Sequence, residues 1–560
     1  MPSDHFQWQN GFESNSAAKM SNGNVRQFPN IGEDETADAN PAIRLFGRRV
    51  RDDQTELEYL VEFMLIFISD KKMGTNYMLG YKDSDKWKGF PGASELQEVD
   101  LGKPLIYYPR MHIIIKLFSF LGISGVEGRH KSHIEKYQEL VSNLKHHLHT
   151  NPSLSKSDAI ELIEQVLMGF IGVSGNRGWS AHSFIPLAPE LIAGEAIWEK
   201  NKGKKEPNLK WHQAWEKKMF SFSKHDFLAR GGELLYLQLC NLFRLIDSPE
   251  LLEFEERAGY LGAAKNLQEE IENNLKDFLS RKPAPILNSI ASWIEKNETD
   301  ASFEIDRETK GATCGWCPEE SWPEAYLFAI ELRNISAALL DPVEKIEMLK
   351  LCCVFQVLRS LSAQAGRYWW GNPGLHDENA LQPYAWIITN PELEDRALKT
   401  AARKNLVRMK EMFHAALRTR RIQTLKSGEK TYRNADKQGT ALFVKLGKKI
   451  GLIAPKTGPG ARFVVQENLL RYFVLALIPP GERMRLTTFL KALYRHYGAA
   501  VSGTLLNDAI AWTYPDQKVS APAEHKQWLE EKLLATGFMT PLSDAVSLIE
   551  NPFSEKSTDK

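Results

Sequence analysis

RALKTAARKNLVRMKEMFHAALRTRR, residues 396–421, is the stretch whose reading decides both the fold class and the functional expectation. Ala402, Leu406, Met409, Phe413 and Leu417 recur at steps of three and four, the spacing that puts side chains on one face of an α-helix. Lys399, Arg403, Lys404, Arg408 and Lys410 fall largely off that face. The pattern predicts a helix docked on a core and basic on its outer surface. From Arg396 to Lys449 there are sixteen Lys or Arg residues against three acids, an excess of thirteen, although the whole chain balances 71 basic against 71 acidic side chains. Such segregation makes a local positive field that a polyanion would feel. A charge run is ordinarily a solvated face. Here the excess continues from Arg418 to Lys437 with almost no acids to pair it, so DNA contact is expected through Lys399, Arg403, Lys404, Arg408, Lys410, Arg418, Arg420 and Arg421.

Outside this stretch, composition bounds the rest. A chain of 560 residues with 43% hydrophobic content has room for several domains and large cores. Five cysteines, two of them adjacent at Cys352 and Cys353, are not a secreted disulfide framework, so a reducing cytoplasm is expected. The opening MPSDHFQWQNGFESNS lacks a basic region followed by an apolar run, so no signal peptide is expected. The apolar runs Leu57 to Ile68 and Leu469 to Ile478 are too short or interrupted to span a bilayer, and no membrane partner is expected.

Towards the N-terminus, residues 1–40 are rich in Ser, Asn, Gly and acids and predict a flexible tail. A helical region follows over 41–200, opening with a capping-box spacing at Thr55 and Glu58 before Leu57, Leu60, Val61, Met64, Leu65 and Ile68. Arg44, Arg48, Arg49 and Arg51 beside it are expected to hold acids within the fold. The glycines before Lys131 and Ser132 fail the spacing of a phosphate-binding loop, because His130 stands where the second Gly is needed. His133, His146, His147 and His149 lack carboxylate or thiolate partners at ligand spacing and predict a solvent-facing helix end. Gly172, Gly175 and Gly178 follow a helix where a dinucleotide fold needs a strand; Arg177, Trp179 and His182 in that loop are candidates for a polar site.

A second helical region is expected over 201–395, entered through an exposed linker or hairpin at 200–215 and containing a helix start at Ser248-Pro249. Cys314-Gly-Trp-Cys317 has half the ligands of a zinc site; Cys352 and Cys353 lie inside an apolar helical run and complete it poorly, so unliganded thiols are expected. Asp306, Glu308 and Lys310 faintly match the acid and ExK arrangement of magnesium-dependent nucleases. Trp369 and Trp370 read as core anchors before they read as a stacking platform for bases. No metal and no cofactor are expected, and no catalytic constellation is visible.

After the basic segment at 396–449, residues 450–560 show three short helices, beginning near Thr487, Gly503 and Pro522, and then a two-stranded ribbon in LLATGFMTPLSDAVSLIENPF. That order predicts a winged-helix-like domain. Its middle helix, LLNDAIAW, is poor in Lys and Arg, which moves the expected DNA contact back to the basic segment. The predicted fold is therefore mainly α (α+β overall), multidomain, with a C-terminal winged-helix-like unit.

NPAIRLFGRRVRDDQTELEYLVEF, FSKHDFLARGGELLYLQL and LSDAVSLIENPF resemble segments of large accessory proteins encoded in bacterial phage-defence islands, such as those of the methylation-associated defence system. The resemblance covers most of the chain after residue 40 and brings no catalytic motif. It implies a cytoplasmic component that works on DNA with a methyltransferase and other defence-system subunits. The alternatives are a metal-dependent nuclease effector of such a system and a non-catalytic docking scaffold.

Overall fold

The computed structural model describes residues 25–30, 40–47, 56–73, 75–81, 87–99, 105–109, 131–169, 188–189, 192, 197–198, 206, 208–217, 220–221, 231–297, 311–392, 395–422, 428–516, 526–543 and 546–554. The described helices are α1 (Pro41–Phe46), α2 (Glu56–Ile68), α3 (Ala93–Val99), α4 (Lys131–His147), α5 (Lys156–Gly169), α6 (Trp211–Glu216), α7 (Gly231–Phe243), α8 (Pro249–Ala258), α9 (Ala264–Ser280) and α10 (Pro285–Lys296). They continue with α11 (Trp322–Ala337), α12 (Pro342–Tyr368), α13 (Arg396–Ala416), α14 (Glu429–Asp436), α15 (Leu442–Lys449), α16 (Glu467–Leu477), α17 (Leu486–Tyr497), α18 (Gly503–Thr513) and α19 (Gln527–Ala535). A π-helical turn, Lys437–Ala441, joins α14 to α15. Helices dominate and the sheets are small, so the fold class is mainly α.

Helices α2, α7, α11 and α12 form the centre. Every residue of α7 is buried, as are Glu58 to Ile68 of α2, so both pack on all sides and not along one stripe. Their mutual approach depends on Gly232, where an added Cβ would stand 2.3 Å from Glu62 Cβ and 2.5 Å from Tyr59 O. The Gly232 amide donates to Glu62 Oε2 at 3.0 Å, which satisfies one of the free donors of the α7 N-terminus. The 27-residue α12 starts at Asp341, whose side chain accepts from Val343 N at 2.9 Å, with Pro342 in the first turn. On one side α9 lays its Leu267, Ile271, Leu275 and Phe278 stripe against this centre.

The strands are β1 (Gln27–Phe28), β2 (Asp70–Met73), β3 (Asn76–Met78), β4 (Leu105–Tyr108), β5 (Ile197–Trp198), β6 (Phe220–Ser221), β7 (Ala312–Thr313), β8 (Cys317–Pro318), β9 (Trp386–Ile387), β10 (Ile453–Ala454), β11 (Arg462–Phe463), β12 (Arg483–Arg485), β13 (Ala499–Ala500), β14 (Met539–Ser543) and β15 (Val546–Glu550). They act as ties between distant segments. β7 closes the four-stranded sheet of order β3-β2-β4-β7, β8 pairs antiparallel with β1, and β13 pairs parallel with β9. The ribbon expected near the C-terminus is the β14–β15 pair, and β12 extends it to a sheet of order β12-β15-β14. The largest apolar cluster draws residues from Val25 to Ile549. Smaller clusters join α4, α5 and α10, and α13, α18 and the β9–β13 pair.

Two expectations are corrected. Within the expected tail, Val25 and Phe28 are buried in the core and β1 pairs with β8, because apolar side chains there reach the centre of the fold. Residues 211–216, expected in a linker or hairpin, form α6, with Trp211 and Ala214 buried; the flanking β5 and β6 pair antiparallel. Amphipathic burial of WHQAW overrode the polar look of its surroundings. Most of the expected tail, together with Arg48, Arg49, Arg51, Gly125, His130, the 172–182 loop with Arg177, Trp179 and His182, and Asp306, Glu308 and Lys310, lie outside the described residues. No helix among the described residues is long and apolar enough to cross a membrane.

Candidate nucleic-acid interface

Helix α13 begins where the Asp395 side chain accepts from the amides of Ala397 at 2.7 Å and Leu398 at 3.1 Å. Its apolar stripe is buried as the sequence predicts: Ala402, Leu406, Met409, Phe413 and Leu417 all face the core. Phe413 meets Phe443 of α15 at 5.1 Å and Phe46 of α1 at 6.3 Å between ring centroids. Asn405, polar and inside this stripe, fixes the helix in rotation. It donates to Ala385 O and Thr513 Oγ1, both at 2.9 Å, and accepts from Ile387 N at 3.0 Å. After the helix, Thr419 Oγ1 donates to Tyr368 O at 2.8 Å, anchoring the turn to the end of α12.

The structure divides the eight cations named from sequence into two sets. Lys404 and Arg408 share a single acid, Glu411, at 3.8 and 3.6 Å, and the Arg408 guanidinium also lies over the Trp369 ring at 4.3 Å. Arg418 is held bidentately by Asp436 at 2.9 and 2.8 Å and covers the Tyr432 ring at 5.0 Å. Those bonds to Asp436 raise the Arg418 guanidinium above its ordinary value, against a smaller opposing effect of burial. Lys399, Arg403, Lys410, Arg420 and Arg421 have no carboxylate partner among the described residues, and Arg403, Arg420 and Arg421 are exposed. Lys399, Arg403 and Lys410 are spaced by four and seven residues and so form one stripe along the flank of α13, beside buried Leu406, with Lys399 and Lys410 half-buried.

The two tryptophans behave differently. Trp369 is buried against Trp512, with centroids 6.2 Å apart, whereas Trp370 is 78% exposed directly beside it. An exposed indole next to a cationic helix is a surface on which a base could stack. Cys314 and Cys317 are both buried, and burial pushes the Cys317 thiol up to about 12. Among the described residues, no group of three or more His, Cys, Asp and Glu side chains is arranged to hold a metal ion. His146 and His147 lie exposed at the C-terminal end of α4.

Sequence reading missed a buried polar network at the centre of the molecule. Glu331 on α11 receives two hydrogen bonds from Arg359 on α12, at 2.6 and 3.1 Å, and one from His496 Nδ1 on α17 at 2.7 Å. His496 Nε2 accepts from Tyr260 at 2.9 Å, and Arg359 also donates to Gln356 Oε1. Glu331, Arg359 and His496 are 0% exposed, so the cluster holds three helices together and offers no surface to a substrate. The legible signal was charge inside the apolar runs AYLFAIELRNI and CCVFQVLRSL. Lys71 had no such signal. Its Nζ donates to Phe67 O at 3.0 Å and Ser69 O at 2.9 Å, and burial draws it down to about 7.

No family model matches this chain, and neither a curated protein nor a solved structure matches it.

Proposed function

We propose that this chain is a DNA-binding accessory component of a multi-subunit bacterial antiviral defence system, cytoplasmic and acting with a DNA methyltransferase. The observation that carries the DNA part is the flank of α13, where Lys399, Arg403 and Lys410, followed by Arg420 and Arg421, have no carboxylate partner among the described residues. The helix beneath is locked by Asn405 and its apolar face, so the cations stand on a rigid support. The defence setting and the partner subunits rest on the sequence resemblance.

We read the C-terminal elements as winged-helix-like. Helices α17, α18 and α19 in succession, with α19 leading into the β14–β15 hairpin and β12 on its edge, support this reading. Helix α19 bears Glu530 and Glu531 and exposes Leu534, and Leu542 is exposed on β14, which suits a protein partner better than a phosphate backbone. A pure docking scaffold is therefore the second reading.

Binding of a fluorescent DNA duplex, followed by anisotropy across a salt series, tests the proposal. Affinity should fall linearly on a log-log plot, and replacing Lys399, Arg403, Lys410, Arg420 and Arg421 together by Gln should flatten the slope by about 4.5 units, at roughly 0.9 per lost contact. A folded variant with the wild-type slope returns the stripe to a solvated face and leaves the scaffold ahead.

A further inference from the structure

The β10–β11 hairpin turns over residues 455–461 beside the flank of α13 that carries Arg403. Gly460 in this turn has φ +87°, and a Cβ added there would stand 3.0 Å from Arg403 Nη2, 3.2 Å from Nε and 3.3 Å from Cζ. The Arg403 guanidinium thus lies close to the Gly460 turn with its Nε–Nη2 edge nearest, where an added side chain would crowd it. Two residues further, Arg462 is only 7% exposed. Its Nε donates to Thr389 Oγ1 at 3.2 Å, and its Nη2 to Pro391 O at 2.7 Å and Asn390 O at 3.3 Å. Its Nη1 has no partner among the described residues and is not enclosed.

Neither arginine meets a carboxylate among the described residues. Burial, and after it the charge of Arg403, draws the Arg462 guanidinium below its ordinary value. Elsewhere on this surface the fold supplies internal acids, Glu411 for Arg408 and Asp436 for Arg418. Here none of the described residues supplies one, although Arg462 is fixed in place by three hydrogen bonds. Planar guanidinium forks match the oxygens of a phosphate, and Lys399, one turn before Arg403, and the exposed Lys456 of the turn add to the same field.

We propose that Arg403 and Arg462, backed by the Gly460 turn, clamp one phosphate, and that in the working protein it is a backbone phosphate of bound DNA. This rests on the reading of α13 as a DNA surface and gives that surface its anchor point.

The test uses the full chain and a duplex with 5′-hydroxyl ends, so that only phosphodiesters are offered. Arg403→Gln and Gly460→Ala should each weaken binding about tenfold and lower the log-log salt slope by about one. Arg483→Gln on β12 removes the same charge and should leave the slope unchanged. Circular dichroism confirms that each variant is folded. A second arm titrates inorganic phosphate and follows the melting temperature, which should rise for the wild type and not for Arg403→Gln. If the wild type binds the duplex but both α13-side variants keep its affinity and slope, the clamp is refuted and the broader DNA surface survives. If the duplex fails to bind while phosphate still protects only the wild type, the clamp stands as a site for free phosphate and the DNA reading falls. With neither response, both are wrong.

Discussion

At the scale of single residues, the most consequential group is the triad Glu331, Arg359 and His496. Burial on its own would raise the Glu331 carboxyl, but Arg359 and His496 outweigh it and hold it below the usual carboxylate range. A charge-paired cluster of this kind is weak evidence for net stabilisation, yet deleting one partner strands another in the interior. Arg359→Met should therefore cost about 3–5 kcal/mol, read as a lower urea midpoint at pH 7.5. His496 is drawn below its ordinary value chiefly by burial, and its contacts fit the neutral ring, with Nδ1–H donating to Glu331 and Nε2 accepting from Tyr260. As pH falls through about 6.5, the unfolded chain takes up a proton that folded His496 declines, so stability attributable to this residue is lost on the acid side. The wild-type advantage over His496→Gln should shrink between about pH 8 and pH 5.5. A gap that widens instead would mean that the ring is held protonated. The triad was half legible, because Glu331 and Arg359 interrupt apolar runs; their pairing with each other and with His496 was not, since 165 residues separate Glu331 from His496.

At the scale of elements, α13 shows how far periodicity reaches. The three- and four-residue spacing identified its buried face residue by residue, because helical geometry alone determines which side chains share a side. It did not distinguish Lys404 and Arg408, which share Glu411, from Lys399, Arg403 and Lys410, which have no acid among the described residues. That distinction makes a prediction opposite in sign to the charge-removal variants: Glu411→Gln releases Lys404 and Arg408 and should tighten duplex binding, with a steeper salt slope in the same anisotropy assay. Helix α17 makes a stability prediction. It ends at Gly498 with φ +65°, and a Cβ there would stand 2.6 Å from Tyr384 O, where β13 begins its pairing with β9. Gly498→Ala should lower stability by more than about 1 kcal/mol, measured by chemical denaturation, because the left-handed conformation and the close approach both resist a side chain. Gly498 was legible as a helix stop; the Tyr384 carbonyl it faces was not.

At the scale of the whole molecule, the expected outcome is a protein that holds DNA without cutting it. Purified alone and incubated with supercoiled plasmid and magnesium, it should leave the plasmid intact on a gel; cleavage abolished by Glu308→Ala would promote the nuclease reading. Chelator-washed protein should likewise carry no stoichiometric zinc by elemental analysis, since Cys314 and Cys317 are one close pair and the other described thiols, Cys240, Cys352 and Cys353, are buried on helices. By itself, the sequence determined the mainly helical class, the docked face of α13, the helix starts at Ser248 and near Gly503 and the terminal ribbon, because each depends on residues within a few turns of one another. Only the tertiary structure decided that β7 closes a sheet begun at Asp70, that Arg359 meets Glu331 and His496, and that Arg403 packs against the Gly460 turn that leads into Arg462. Those arrangements join segments far apart in the chain, where the approach of packed surfaces, and not local conformational preference, selects which charges face one another.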